Sequence, residues 1–204
     1  MGRQEEGGAS QAAQHFSLTV KDYFENMHQN LRKVLHPHHV DTPLAYLITF
    51  RSYGTWLHGD ERGSIDRFNN SYGGPYLPPN TAWLRHNRKQ LKRPPFTLGA
   101  RARRSVEKAV RETCSIRRWN LQAFNVRTNH VHIVVTANSK PAQVLNTFKA
   151  NATRQLRNDQ LWQYPFSPWA DRGSKIKLWN ERSVANAIDY VLHGQGNDLP
   201  DFED

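Results

Sequence analysis

Asn129-His130-Val131-His132-Ile133-Val134-Val135 has the signature of a β-strand. Val, Ile and Val are β-branched and fit a pleated, half-buried surface. Side chains alternate between faces along a strand, so His130 and His132 point one way and Val131 points into a core on the other. Two imidazoles side by side on a rigid face can hold one divalent cation. A lone His-x-His is more often a pair of exposed or hydrogen-bonded histidines, so the surrounding sequence has to decide.

Working outward, Leu121 to Val126 reads as the preceding strand, and Arg127-Thr128-Asn129 is short enough to close a hairpin between the two. Before it, Ala100 to Arg118 is a helix with Val106, Val110 and Cys114 one turn apart. After it, Ser139 to Arg157 is a second helix, with Pro141 in its first turn and Val144, Leu145, Phe148, Ala152 and Leu156 as its buried stripe. Leu44 to Arg51 opens this set as a strand and Gly173 to Trp179 closes it. The order β-α-β-β-α-β is that of the ferredoxin-like split arrangement. The expected class is therefore α+β: an antiparallel sheet with helices on one face, plus a C-terminal helix that bears a tyrosine.

That last helix is capped by Asn180 and runs to about His193, with Val184, Ala187, Ile188, Val191 and Leu192 as its apolar stripe. At about 100° per residue Tyr190 lies off the stripe, on the flank of Asn186 and His193. A tyrosine kept from the core beside polar residues is available for chemistry, although an ordinary half-buried tyrosine would look the same.

The flanking segments are less regular. Residues 1–14 are rich in Gly, Ala, Gln and Glu and read as a disordered start, and Phe16 to Leu35 has helical apolar spacing that Pro37 ends. The segment Ser52 to Ser64 reads as an ordered functional loop. Asn69 to Leu98 is an Asn-, Gly- and Pro-rich insertion with a basic run, Arg85 to Arg93, which is either an arm contacting nucleic acid, the reading its charge favours, or a solvated excursion. The expected layout is an extension over 1–42, one domain over 43–197 with a long insertion at about 52–98, and an acidic tail over 198–204.

The chain has 204 residues, a formal charge of +10 and one cysteine. The single Cys114 excludes an intramolecular disulfide and a cysteine-rich zinc site. Residues 1–42 hold four Lys/Arg against five Asp/Glu, and the tail holds four acids and no base, so residues 43–197 carry 24 bases against nine acids. Such a field attracts polyanions, nucleic acid first. Arg103, Arg104, Lys149, Arg154 and Arg157, all on the two central helices, are the candidate phosphate contacts. No apolar run reaches membrane-spanning length and the start lacks a signal-peptide core, so a soluble cytoplasmic protein without membrane contact is expected.

A basic ferredoxin-like domain with His-hydrophobic-His on a central strand and a tyrosine on a late helix resembles the HUH single-strand nucleases. The order, with one tyrosine in Asp189-Tyr190-Val191, is similar to that of the single-tyrosine transposases of small insertion sequences, including the REP-associated tyrosine transposases. The likeness runs from about Leu44 to Gly196 and rests on LITF, NVRTNHVHIVV, FKANATRQLR and IDYVLHGQG. It implies that His130 and His132 bind Mg²⁺ or Mn²⁺ and that Tyr190 is the nucleophile. It implies a 5′-phosphotyrosine intermediate on single-stranded DNA, usually hairpin-containing. Family members often work as dimers, so a homodimer is an expectation. The family's third ligand is a Gln or Asn four residues after the tyrosine. That position is Gly194 here, which leaves Gln195 and His193 as substitutes, Gln195 ahead because its amide oxygen suits Mg²⁺ better. The competing readings are an inactive or domesticated relative that only binds DNA or RNA hairpins, and a replication initiator or relaxase. The short chain without a helicase segment weighs against the latter.

Overall fold

The computed structural model describes residues 42–64, 77–197 and 199. The expectations for residues 1–41 and, apart from Leu199, for the acidic tail lie outside these. Four strands and four helices follow in order: β1 (Ala45–Arg51), α1 (Thr81–Lys89), α2 (Ala100–Arg117), β2 (Asn120–Val126), β3 (His130–Thr136), α3 (Pro141–Asn158), β4 (Ser174–Leu178) and α4 (Glu181–His193). The sheet order is β2-β3-β1-β4 and every pairing is antiparallel. This is the expected α+β arrangement, with the histidine strand in the interior of the sheet.

Alternation along the two central strands gives the sheet two unlike faces. Ile48 and Phe50 of β1 and Val131, Ile133 and Val135 of β3 are completely buried on one face, against Val106 and Val110 of α2 and Val144, Phe148 and Leu156 of α3. Ala45 and Leu47 of β1 and Val134 of β3 occupy the other face, where Ala187 and Val191 of α4 cover them. A register shift in β2 between Leu121 and Ala123 switches its alternation, so Leu121 and Phe124 join the first core while Ala123 joins the second. The second cluster is small, so α4 covers only part of its face and leaves room there for polar side chains.

Part of the insertion is a helix: α1 occupies Thr81–Lys89, while residues 65–76 lie outside the described residues. Asn80 caps α1 by accepting a hydrogen bond from the Trp83 backbone N–H at 2.9 Å. None of its residues is buried. Leu192, expected in the buried stripe of α4, is exposed. The contact with the sheet runs along Val184, Ala187, Ile188 and Val191, and Leu192 lies one residue's rotation beyond it.

Because Ile133 is fully buried at the centre of the larger core, Ile133→Ala should lower the unfolding free energy by about 2–5 kcal/mol. Urea denaturation measures this, and a loss below about 1 kcal/mol would mean the strand is not packed as described.

Candidate functional site

The site lies on the second face, where the sheet gives way from α4's apolar contacts to polar residues. His130 and His132 stand two apart on β3, and their ring centres lie 4.7 Å apart. His132 is buried. Its Nδ1 lies 2.7 Å from Thr49 Oγ1, contributed by the opposing residue of β1. His130 Nδ1 lies 2.7 Å from Asn129 Oδ1. Each ring is therefore oriented through Nδ1 and turns Nε2 toward the site, a pattern that fixes the tautomer of metal-binding histidines.

The C-terminal end of α4 closes the arrangement. Tyr190 is 46% exposed, and its ring meets that of His132 edge-on, with 5.4 Å between centres. The helix ends at Gly194, whose N–H donates to the Tyr190 carbonyl at 2.9 Å. A Cβ at position 194 would sit 2.8 Å from that carbonyl oxygen and 2.9 Å from Tyr190 Cδ2, so a side chain there would require the helix end or the tyrosine ring to shift. Gln195 follows, and Gly196 takes φ +80°. The Gln195 Nε2 donates to the Tyr190 carbonyl at 3.0 Å, which leaves Oε1 facing His130 Nε2 at 3.2 Å. His193 turns away, with Nδ1 2.9 Å from Asp189 Oδ1 on the exposed side of the helix.

The electrostatics favour neutral imidazoles. Burial holds the His130 proton affinity down, and the nearby charges of Arg127, Arg51 and Arg62 act in the same direction, against the Gln195 Oε1 that would accept a hydrogen bond from a protonated Nε2. Burial pushes His132 down to about 3, with His130 adding to the effect and Gln195 opposing it. A neutral His130 has one N–H. In the recorded orientation of Asn129 two acceptor oxygens face its two nitrogens, at 2.7 and 3.2 Å. When Nδ1–H donates to Asn129, the Nε2 lone pair and Gln195 Oε1 confront each other with no proton between them. A cation there would relieve the contact. Two donors about 2.1 Å from an octahedral ion lie about 3 Å apart, close to the observed spacing. Among the described residues no three His, Cys, Asp or Glu side chains gather as a metal cluster; the groups that face one another here are two imidazoles and the Gln195 amide oxygen.

The five candidate phosphate contacts lie elsewhere. Arg103 and Arg104 are on α2 and Lys149, Arg154 and Arg157 on α3, the helices that pack on the first face. Arg103 is buried. Lys149 Nζ donates to the Ala170 and Asp171 carbonyls at 2.6 and 3.3 Å, and Arg157 Nη2 donates to the carbonyls of Tyr164 and Pro165 at 3.0 Å each. These two hold the loop that leads to β4. Arg104 and Arg154 are exposed. The structure does not bring this set together with the histidines. It brings Thr49 and Asn129 there instead. Thr49 shares a face with Leu47 by alternation, yet only the β1–β3 register reveals which histidine it meets.

Residues 83–173 match the family model described as Transposase IS200 like. The match includes His130 and His132 and stops before α4. A solved structure of a REP-associated tyrosine transposase bound to a REP hairpin is similar at 11% identity over 74% of this chain, with a TM-score of 0.40. The present chain spans 65% of that chain's length. No curated protein matches. The chain thus has a distant link to the IS200-like transposases. Among the described residues, no helix is long and apolar enough to cross a membrane.

The depressed His132 has a consequence for stability. Its folded value of about 3 lies below the ordinary 6.5, so between these limits the unfolded chain binds one proton more than the folded one. Stability is then fully present above about 6.5 and falls as the pH drops toward 3, with a slope of up to about 1.4 kcal/mol per pH unit from this residue. His132→Asn should flatten the pH dependence of urea unfolding between pH 6 and about 4 by roughly that slope. An unchanged slope would show that His132 is already charged in the folded protein.

Proposed function

We propose that the protein is a divalent-metal-dependent single-stranded DNA nickase and strand transferase, with Tyr190 as nucleophile and His130, His132 and Gln195 as metal ligands. The observation that carries the reading is the meeting of Tyr190, the histidine pair and the Gln195 oxygen at one point of the second face. The family link over residues 83–173 supports it.

A phosphodiester resists nucleophiles because its oxygens are negative. A bound Mg²⁺ or Mn²⁺ supplies Lewis-acid neutralisation of that charge, and three neutral ligands leave its double charge undiminished. Thr49 and Asn129 hold the two imidazoles in place, and the Tyr190 carbonyl holds the amide of Gln195. Tyr190 Oη attacks phosphorus after losing its proton. The P–O3′ bond breaks and the leaving strand departs with a free 3′-OH. The 5′-phosphotyrosine that remains preserves the energy of the phosphodiester, so a second 3′-OH can displace the tyrosine without ATP. This suits joining of strands better than hydrolysis. The substrate in this reading is single-stranded DNA, with a hairpin as the recognised feature. Arg104 and Arg154, exposed on the far helices, act on overall affinity through the field and not at the reacting phosphate.

Incubation with labelled single strands from the flanks of its own gene, with Mg²⁺ or Mn²⁺, should give a covalent adduct on a denaturing gel. Tyr190→Phe should abolish the adduct while leaving strand binding within about twofold, since only one hydroxyl is removed. An adduct at the wild-type level would move the nucleophile to another tyrosine, Tyr164 or Tyr53 being next.

The ligands have their own test. His130→Ala and His132→Ala should each lose ion-dependent cleavage. Gln195→Ala should raise the Mg²⁺ needed for half-maximal cleavage by about 10–100-fold, the range seen when support of a metal site is lost. His193→Ala should leave it unchanged. The reverse order for the last two would make His193 the ligand, and no effect from either would mean that water completes the site.

A further inference from the structure

We propose that Arg51, Arg62 and Arg127 form an anion subsite beside His130 that grips a backbone phosphate of the bound single strand; this rests on the reading of the site as one that handles DNA. Three segments deliver the guanidinium groups. Arg51 ends β1 directly opposite His130 in the strand register and shares a face with Thr49, the partner of His132. Its guanidinium carbon lies 4.8 Å from the ring centre of Trp56. The guanidinium carbon of Arg62 lies at the same 4.8 Å from that ring. Arg127 approaches through the β2–β3 hairpin. Its N–H donates to the His130 carbonyl at 2.8 Å, and its Nη1 donates to the Asn197 carbonyl at 2.8 Å, just past Gln195.

The loop that carries Trp56 and Arg62 is built to hold its shape. The Trp56 indole N–H donates to the Gly63 carbonyl at 2.7 Å. Arg62 engages Asp60 through two bonds, Nε to Oδ1 at 2.6 Å and Nη2 to Oδ2 at 2.8 Å, and Nη2 also donates to the Thr55 carbonyl at 3.0 Å. The loop is tied to the histidine hairpin where the Ser52 N–H donates to the Asn129 carbonyl at 3.0 Å. The expected ordered loop over 52–64 thus has a physical purpose that metal and tyrosine alone leave unused. Guanidinium groups present planar forks that match phosphate oxygens. A tryptophan face supports the guanidinium of Arg51 without adding a negative charge, whereas the Asp60 carboxylate offsets part of the charge of Arg62. That all three arginines lower the proton affinity of His130 agrees with their charges reaching one point.

The alternative is that these arginines only clasp the loop. Fluorescence anisotropy with a labelled oligothymidylate of about 20 nucleotides, in EDTA, separates the two, because each phosphate contact on a single strand contributes about 0.7 to the slope of log K against log salt. Arg51→Gln should lower that slope by about 0.7 and Arg51→Lys should restore it. Arg62→Gln should act in the same direction, and its thermal melt shows whether the loop survives. Where it does not, the Arg51 pair of variants still decides. Location is read from the His130 imidazole resonances, which should move on adding the oligothymidylate to wild type and move at most half as far in Arg51→Gln. An unchanged slope in both glutamine variants, or His130 shifts equal to wild type, overturns the subsite. Failure of the enzyme reading looks different: wild type would form no adduct while the slope and the shifts still respond to Arg51. An adduct with an unaltered slope would remove the subsite alone.

Discussion

The antiparallel pairing of β3 with β1 constrains everything else in this protein. Val131, Ile133 and Val135 must enter the larger core, where they are completely buried. Strict alternation then leaves His130, His132 and Val134 no choice but the opposite face. A slip of one residue would drive two imidazoles into an apolar core and expose three β-branched side chains, at a cost of several kcal/mol. The same register sets Thr49 against His132 and Arg51 against His130. The core therefore serves as the alignment device of the site, since the packing that holds β3 in place is also what aims its histidines.

The chain's pattern makes some of this legible and hides the rest for identifiable reasons. Val106, Val110 and Cys114 on α2, and Val144, Phe148 and Leu156 on α3, show the helical spacing of residues that pack on one face, and they are buried as that spacing requires. The His-x-His pair is legible for the same reason, through the period of two. By contrast, α1 is short and buries none of its residues, so it adds nothing to a core. Arg103 looks like a surface base by composition and is buried, while Lys149 and Arg157 spend their protons on loop carbonyls. Charge counts show that a domain is basic. They do not show which cations face solvent, because that depends on where the chain between α3 and β4 runs. Cross-strand partners such as Thr49 depend on register and have no local signal at all.

The end of α4 shows how a departure from a family pattern is absorbed. Tyr190, its ring against His132, fills the space that a side chain at position 194 would need, so one there would require the helix end or the tyrosine ring to shift. The next residue, Gln195, places its amide beside His130. Its Nε2 gives the Tyr190 carbonyl a second hydrogen bond beside that from the Gly194 N–H, and that bond turns Oε1 toward His130. The backbone of the tyrosine and the side chain beside it are thereby parts of one hydrogen-bonded unit. Moving the tyrosine would move the amide with it.

Among the described residues no carboxylate joins this grouping, which gives it its electrical character. Two neutral imidazoles and an amide contribute lone pairs without charge, and the charges that reach His130 are those of arginines. Such a surrounding repels a bare cation and attracts an anion. Ion and phosphate would therefore enter most favourably together, each screening the other from what it finds unfavourable. A carboxylate ligand would reverse this, holding the ion tightly but lowering its charge and repelling the phosphate oxygens. The burial that keeps His132 unprotonated costs stability in acid, and Ala187 and Val191 of α4, packed against Val134 of the same strand, offset part of it. The helix that carries the tyrosine is thus bound to the sheet by the strand whose histidines it faces.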